Sequence, residues 1–187
     1  MAEQLETAAI QRVLEGVRGI RGVVTGTGDN VLEQLLSLLK GDWFGAVSGY
    51  YSNHRPKSPY AALDDEYKVQ DLIYSTVVSF IPDLQYEDPQ QKNVGALTHT
   101  RVDFSSAKHG LFIEIKLASS IHTMKKVEAE INEDISKYGK QRIFSTLVFF
   151  VYCYHYSPPN PRRFELGLTG HHVIDGHPFQ TFCIVKT

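Results

Sequence analysis

Apolar residues recur along the chain with two different periods, and each period marks a kind of element. Leu5, Ala9, Ile10, Val13, Leu14, Val17 and Ile20 fall on one stripe of a 3.6-residue repeat, which predicts a helix over 3–21. Gly16, Gly19, Gly22, Gly26 and Gly28 interrupt the pattern, and TGTGDN reads as a turn into a second helix over about 30–50. This stretch lacks both the Gly-Lys-Ser/Thr ending and the preceding strand of a phosphate-binding loop, so it is read as a loop alone. Residues 53–63, NHRPKSPYAAL, are polar and carry Pro56 and Pro59, which predicts a linker and a domain boundary near 55–62.

Beyond the linker, DDEYKVQDLIYSTVVSFI opens with acids and then sets Val69, Leu72, Ile73, Thr76, Val77 and Phe80 on one helical face, with Pro82 as its stop. Short strands are expected at 84–87, 100–105 and 111–117. Met124, Val127, Ile131, Ile135 and Tyr138 then mark an amphipathic helix with Thr123 as its cap. The run IFSTLVFFVYCY, 143–154, is continuously apolar and belongs in the middle of a sheet. SPPNPRR, 157–163, is expected to be a loop, with strands following at 164–168 and 179–186.

The stretch TRVDFSSAKHGLFIEIKLA, 100–118, places charge inside two strand-like runs. A four-residue turn over Ala107–Gly110 sets Ser106 opposite Leu111, and the same register sets Asp103 opposite Glu114. Alternation then puts Arg101, Asp103, Glu114 and Lys116 on one face, with Val102, Phe104, Ile113 and Ile115 on the other. Opposed strand residues have Cβ atoms about 5 Å apart, so two acids there destabilise the pair by up to about 1 kcal/mol. A divalent cation such as Mg²⁺, which one or two carboxylates and waters suffice to hold, would compensate. Lys116 could then orient or deprotonate an attacking water. A solvated strand pair balanced by Arg101 and Lys116 accounts for the same residues, and both accounts stay open at this point.

The spacing Asp103, ten residues, then Glu114-Ile115-Lys116 resembles the D-x(n)-(D/E)-x-K signature of the PD-(D/E)XK, or restriction-endonuclease-like, nucleases. The order of elements over 62–155 resembles that superfamily's αβββαβ core: EYKVQDLI, then DF, EIK, DISKY and FVY. The pattern is similar to bacterial domains grouped with MboI-like restriction enzymes, with Val102 in place of the signature proline. The helical segment over 1–55, read from its periodicity, is expected to serve dimerisation or partner binding, while the resemblance implies an α/β fold with a mixed central sheet flanked by helices and a nuclease-like domain over 62–187. It implies Asp103 and Glu114 as metal ligands, the Ile115 carbonyl as a further ligand, Lys116 as the catalytic lysine and Glu66 as an added acid from the first core helix, with Asp71 the alternative. The metal implied is Mg²⁺, with Mn²⁺ able to substitute. The substrate implied is DNA, with RNA left open, in restriction or anti-phage defence. Lys125, Lys126, Lys137, Lys140, Arg162 and Arg163 are candidate phosphate contacts, and a solvated face explains them as well.

Composition narrows this further. The formal charge of −2, from 19 Lys and Arg against 21 Asp and Glu, gives no bulk attraction to nucleic acid, so DNA would have to be held locally. His171, His172 and His177 are expected in a Gly-containing loop, have no ligand spacing and are read as surface residues. Cys153 and Cys183 are read as buried thiols of a reducing compartment. No apolar run reaches the roughly 18 residues of a membrane span, and Glu3 and Glu6 argue against a signal peptide, so a cytoplasmic protein is expected. Three readings follow: a homodimeric metal-dependent endonuclease, a nuclease subunit of a larger complex that a partner activates, and a nuclease-fold module without catalysis.

Overall fold

A computed structural model of the protein describes residues 30–88 and 102–187. The helix expected over 3–21, the Gly-rich turn and Arg101 lie outside them. The chain divides into two compact units, Met1–Leu63 and Asp64–Thr187.

In the first unit, α1 (Asn30–Lys40) and α2 (Trp43–His54) replace the single helix expected over 30–50. The break falls at Gly41, whose N–H donates to Ser37 O and Leu38 O, while Trp43 Nε1 donates to Leu38 O at 2.7 Å. The helix C-terminus is thus closed by glycine and by the first side chain of the next helix.

In the second unit the order is α3 (Glu66–Val77), β1 (Gln85–Asp88), β2 (Val102–Ser106), β3 (Leu111–Ala118), α4 (Ile121–Gly139), β4 (Thr146–Cys153), α5 (Pro161–Leu168), β5 (Gly170–Ile174) and β6 (His177–Lys186). Through β4 this is an αβββαβ succession, as expected. Among the described residues the strands form one mixed sheet in the order β1-β2-β3-β4-β6-β5, with β3, β4 and β6 mutually parallel and the remaining pairs antiparallel. β4 is central and buried on both faces, which explains its uninterrupted apolar run. Met124, Val127, Ile131 and Ile135 of α4 pack with Phe112, Leu147, Phe149 and Val151 on one face. On the other, Tyr74 of α3 stacks on Phe104 of β2 at 5.9 Å.

Local chemistry sets the ends of the elements. Asp65 caps α3, accepting the Tyr67 N–H at 2.8 Å. That helix stops at Val77, short of Pro82, where the Ser75 and Thr76 hydroxyls both donate back to Leu72 O and compete with the helix ladder. Ser120, not Thr123, caps α4, and Thr123 completes a reciprocal capping box. The β2–β3 turn has the expected length and register, Ser106↔Leu111 through Phe104↔Ile113. Asp83 locks it by accepting Ser106 Oγ at 2.7 Å and Lys108 N at 3.1 Å.

Two expectations near the C-terminus are corrected. Residues 164–168 are helical, because Asn160 accepts the Arg163 N–H as a cap and Pro161 stands at the first helical position. His171 and His172 lie in strand β5, joined to β6 through Asp175 and Gly176, both at positive φ as a tight hairpin turn requires.

Candidate active site

The register that pairs β2 with β3 stops one step before the acids. Beyond Phe104↔Ile113 the next inward N–H of β3 belongs to Ile115, and it donates to Asp103 Oδ2 at 2.7 Å rather than to a β2 carbonyl. Asp103 therefore stands between the two strands, in contact with the residue that separates Glu114 from Lys116. Those two point toward α4, Phe112 on the same side making an edge contact with Tyr138.

The solvated account of this face is corrected by burial. Glu114 is 3% exposed, because α4 lies across it. Tyr138 donates its hydroxyl to Glu114 Oε1, while Lys116 Nζ stands 3.7 Å from Glu114 Oε2 and 3.1 Å from Asp134 Oδ2. Glu66, in the first turn of α3, joins from the far side: its carboxylate is held by a main-chain hydrogen bond from Leu117 and feels the charges of Asp103, Lys116 and Glu130. The structure thus brings Glu66, Asp103, Glu114 and Lys116 together from three elements. Asp71 is exposed, and its neighbour is Tyr86 instead.

Asp134 and Tyr138 enter the sequence reading only as part of the DISKY stretch and as core spacing, with no role at a site. On a helical wheel Asp134 borders the stripe of Val127, Ile131 and Tyr138. A carboxylate at the margin of an apolar stripe, one turn before a tyrosine, was the available signal.

Electrostatics follow from crowding four carboxylates around one ammonium away from water. Burial, and then Asp103, push Glu114 well above the ordinary carboxylate range, although Lys116 and Tyr138 oppose this. Asp103 is raised for the same first reason, against the Ile115 N–H and Lys116. Glu66 is raised by burial and by Asp103. Burial works against the charge on Lys116, but Glu114 and Asp134, with Asp103, outweigh it and raise its pKa, so the lysine keeps its proton.

A hard divalent cation fits this donor set. The side-chain donors are all carboxylate oxygens, and like charges desolvated together are relieved by a cation. Among the described residues no three His, Cys, Asp or Glu form a ready-made cage. Mg²⁺ asks for less, because one or two carboxylates hold it while waters complete the octahedron.

The other candidates do not converge here. Lys125 and Lys140 are exposed, Lys126 pairs with Glu130 at 3.3 Å, and Arg162 and Arg163 are exposed on the first turn of α5. The three histidines are engaged separately, His171 with Gln180, His172 with Thr181 and His177 with Phe144 O, so they make no common ligand set. His172 and His177 are partly buried against Phe179 rather than simply on the surface. Cys153 and Cys183 are buried and free, and burial pushes the Cys153 thiol up to about 11. No helix among the described residues is long and apolar enough to cross a membrane.

No curated protein and no solved structure matched the chain. The profile of the DpnII-MboI family, described as REase_DpnII-MboI, matches residues 41–176, and that span contains every element of the site just described. The chain belongs to the DpnII-MboI restriction endonuclease family.

Proposed function

We propose that the protein is a Mg²⁺-dependent endonuclease that hydrolyses phosphodiester bonds of DNA, with its chemistry carried by Asp103, Glu114, Lys116 and Glu66. The observation that supports this most is the placement of Asp103 at the divergence of β2 and β3, against the β3 residue between Glu114 and Lys116. Two desolvated acids and a buried lysine are a cost that a catalytic role accounts for.

Asp103 and Glu114 would hold the cation, with the Ile115 carbonyl as a further oxygen donor. When bound, the ion supplies Lewis-acid polarisation of the phosphate and lowers the pKa of a water in its shell. The chain's own contributions are distinct. The carboxylates around Lys116 favour its charged form, which supports the orienting role over deprotonation of the water. Its ammonium would orient the attacking water and stabilise the charge that builds on the phosphate oxygens. Glu66, partly exposed and raised in pKa by burial and then by Asp103, would accept a proton as attack proceeds. The Ile115 N–H fixes Asp103 and the Tyr138 hydroxyl fixes Glu114.

Cutting both strands takes two such centres, which supports a homodimer or a larger complex assembled through 1–55, acting in cytoplasmic restriction or anti-phage defence. Purified protein is to be incubated with duplex DNA, single-stranded DNA and RNA in Mg²⁺, Mn²⁺ or EDTA. Duplex cleavage in either ion and none in EDTA is expected. RNA cleavage without DNA cleavage would reassign the substrate, and cleavage in EDTA would remove the metal from the account.

A further inference from the structure

We propose that Asp134 is a positioning residue of this centre: its carboxylate holds the Lys116 ammonium off Glu114, leaving Glu114 open to a cation and Lys116 open to the phosphate. The inference rests on the nuclease reading and concerns how the same site is kept competent. Among the described residues two carboxylates lie within 4 Å of Lys116 Nζ, and the nearer is Asp134 at 3.1 Å against 3.7 Å for Glu114. Both partners of the nearer pair are largely shielded, with side chains 15% and 14% exposed. Asp134 Oδ2 is buried and stands 3.1 Å from the ammonium, so it anchors the charge of the lysine.

Helix geometry couples this anchor to a second one. Asp134 and Tyr138 are one turn apart on α4, and Tyr138 donates to Glu114 Oε1. One helix face therefore grips both members of the Glu114–Lys116 pair and sets the distance between them. Packing does not require Asp134 for this, since Met124, Val127, Ile131 and Ile135 already seat α4 on the sheet. Without Asp134 the ammonium loses its nearer partner in a poorly solvated place and moves onto Glu114, covering the lone pairs that a cation would use.

The test uses the full chain, with D134A, D134N and D134E each made in the wild-type and K116M backgrounds. Mn²⁺ affinity is titrated on DNA-free protein, and single-turnover cleavage and melting temperature are measured beside it. D134A and D134N are expected to remain folded, to bind Mn²⁺ about 10-fold or more weakly and to cleave about 10- to 100-fold more slowly, with KM for DNA unchanged and partial rescue in D134E. In K116M, removing Asp134 is expected to cost no further Mn²⁺ affinity, because no ammonium remains to move. Equal Mn²⁺ affinity in D134N and wild type, or a loss that persists undiminished in K116M, would overturn the assignment. If D134A fails to fold, D134N carries the test, since it keeps the shape and removes only the charge. Wild-type protein that cuts nothing would instead count against the nuclease reading for the isolated chain, while the Mn²⁺ titrations would still decide whether Asp134 acts through Lys116.

Discussion

Asp103 accepts the main-chain N–H of Ile115 through Oδ2 at 2.7 Å, a side chain standing where a strand carbonyl would otherwise pair. The bond gives Asp103 a structural duty as well as its proposed chemical one, and substitutions should separate the two. In D103N an amide oxygen can still accept the N–H, whereas in D103A a buried donor is left without a partner. D103A is expected to lose about 1–3 kcal/mol of stability relative to D103N, read from urea midpoints, while both lose cleavage.

Glu114 is the most buried acid of the cluster, and its charge is opposed first by desolvation and then by Asp103. In metal-free protein, E114Q removes that charge and keeps an oxygen for the Tyr138 hydroxyl, while Lys116 retains Asp134. The variant is expected to be more stable than wild type at pH 8 by on the order of 1 kcal/mol, a few degrees in Tm, and to be inactive. A lowered Tm would mean that Glu114 serves the fold and not the chemistry.

Gly139 ends α4 against the C-terminal hairpin, and an added Cβ would lie 2.6 Å from Ile174 Cδ1 and 2.8 Å from Phe179 Cε1. Since α4 also carries Asp134 and Tyr138, G139A is expected to cost about 1–3 kcal/mol. Cleavage rate should fall with it, as the helix shifts over the site.

His172 lies between Thr181 Oγ1, at 2.9 Å, and the ring of Phe179. Burial, and then His171, hold its pKa below the ordinary histidine value. The folded protein thus binds fewer protons at this group than the unfolded chain does. Its contribution is present above the unfolded value of about 6.5 and is lost as pH falls through the folded value. The urea midpoint of wild type should drop across that window more steeply than that of H172Q.

The legible parts of this fold and the obscure ones divide by how local their causes are. The β2–β3 turn and its register from Ser106↔Leu111 to Phe104↔Ile113 could be read because a four-residue turn and period-2 alternation determine them within ten residues, whereas the expected pairing of Asp103 with Glu114 gives way to the Asp103 contact with the Ile115 N–H. Lys116 and Asp134 are separated by a helix start, and their contact depends on how α4 is rotated over the sheet, which no local pattern carries. The helix at 161–168 was missed for a different reason: RRFEL is too short for its period to decide, while Asn160 and Pro161 carried the start signal. Asp175-Gly176 was likewise an available hairpin turn signal for β5 and β6. The family resemblance named the acids and the lysine, yet it could not say that α4 buries them.

The most direct test of the account is single-turnover cleavage of supercoiled and linear duplex DNA by wild type, D103N, E114Q and K116M, in Mg²⁺ and in EDTA. Metal-dependent cutting by wild type is expected, with its loss in all three variants while each remains folded. Cutting by K116M or E114Q at the wild-type rate would contradict it, because the chemistry would then lie elsewhere in the chain.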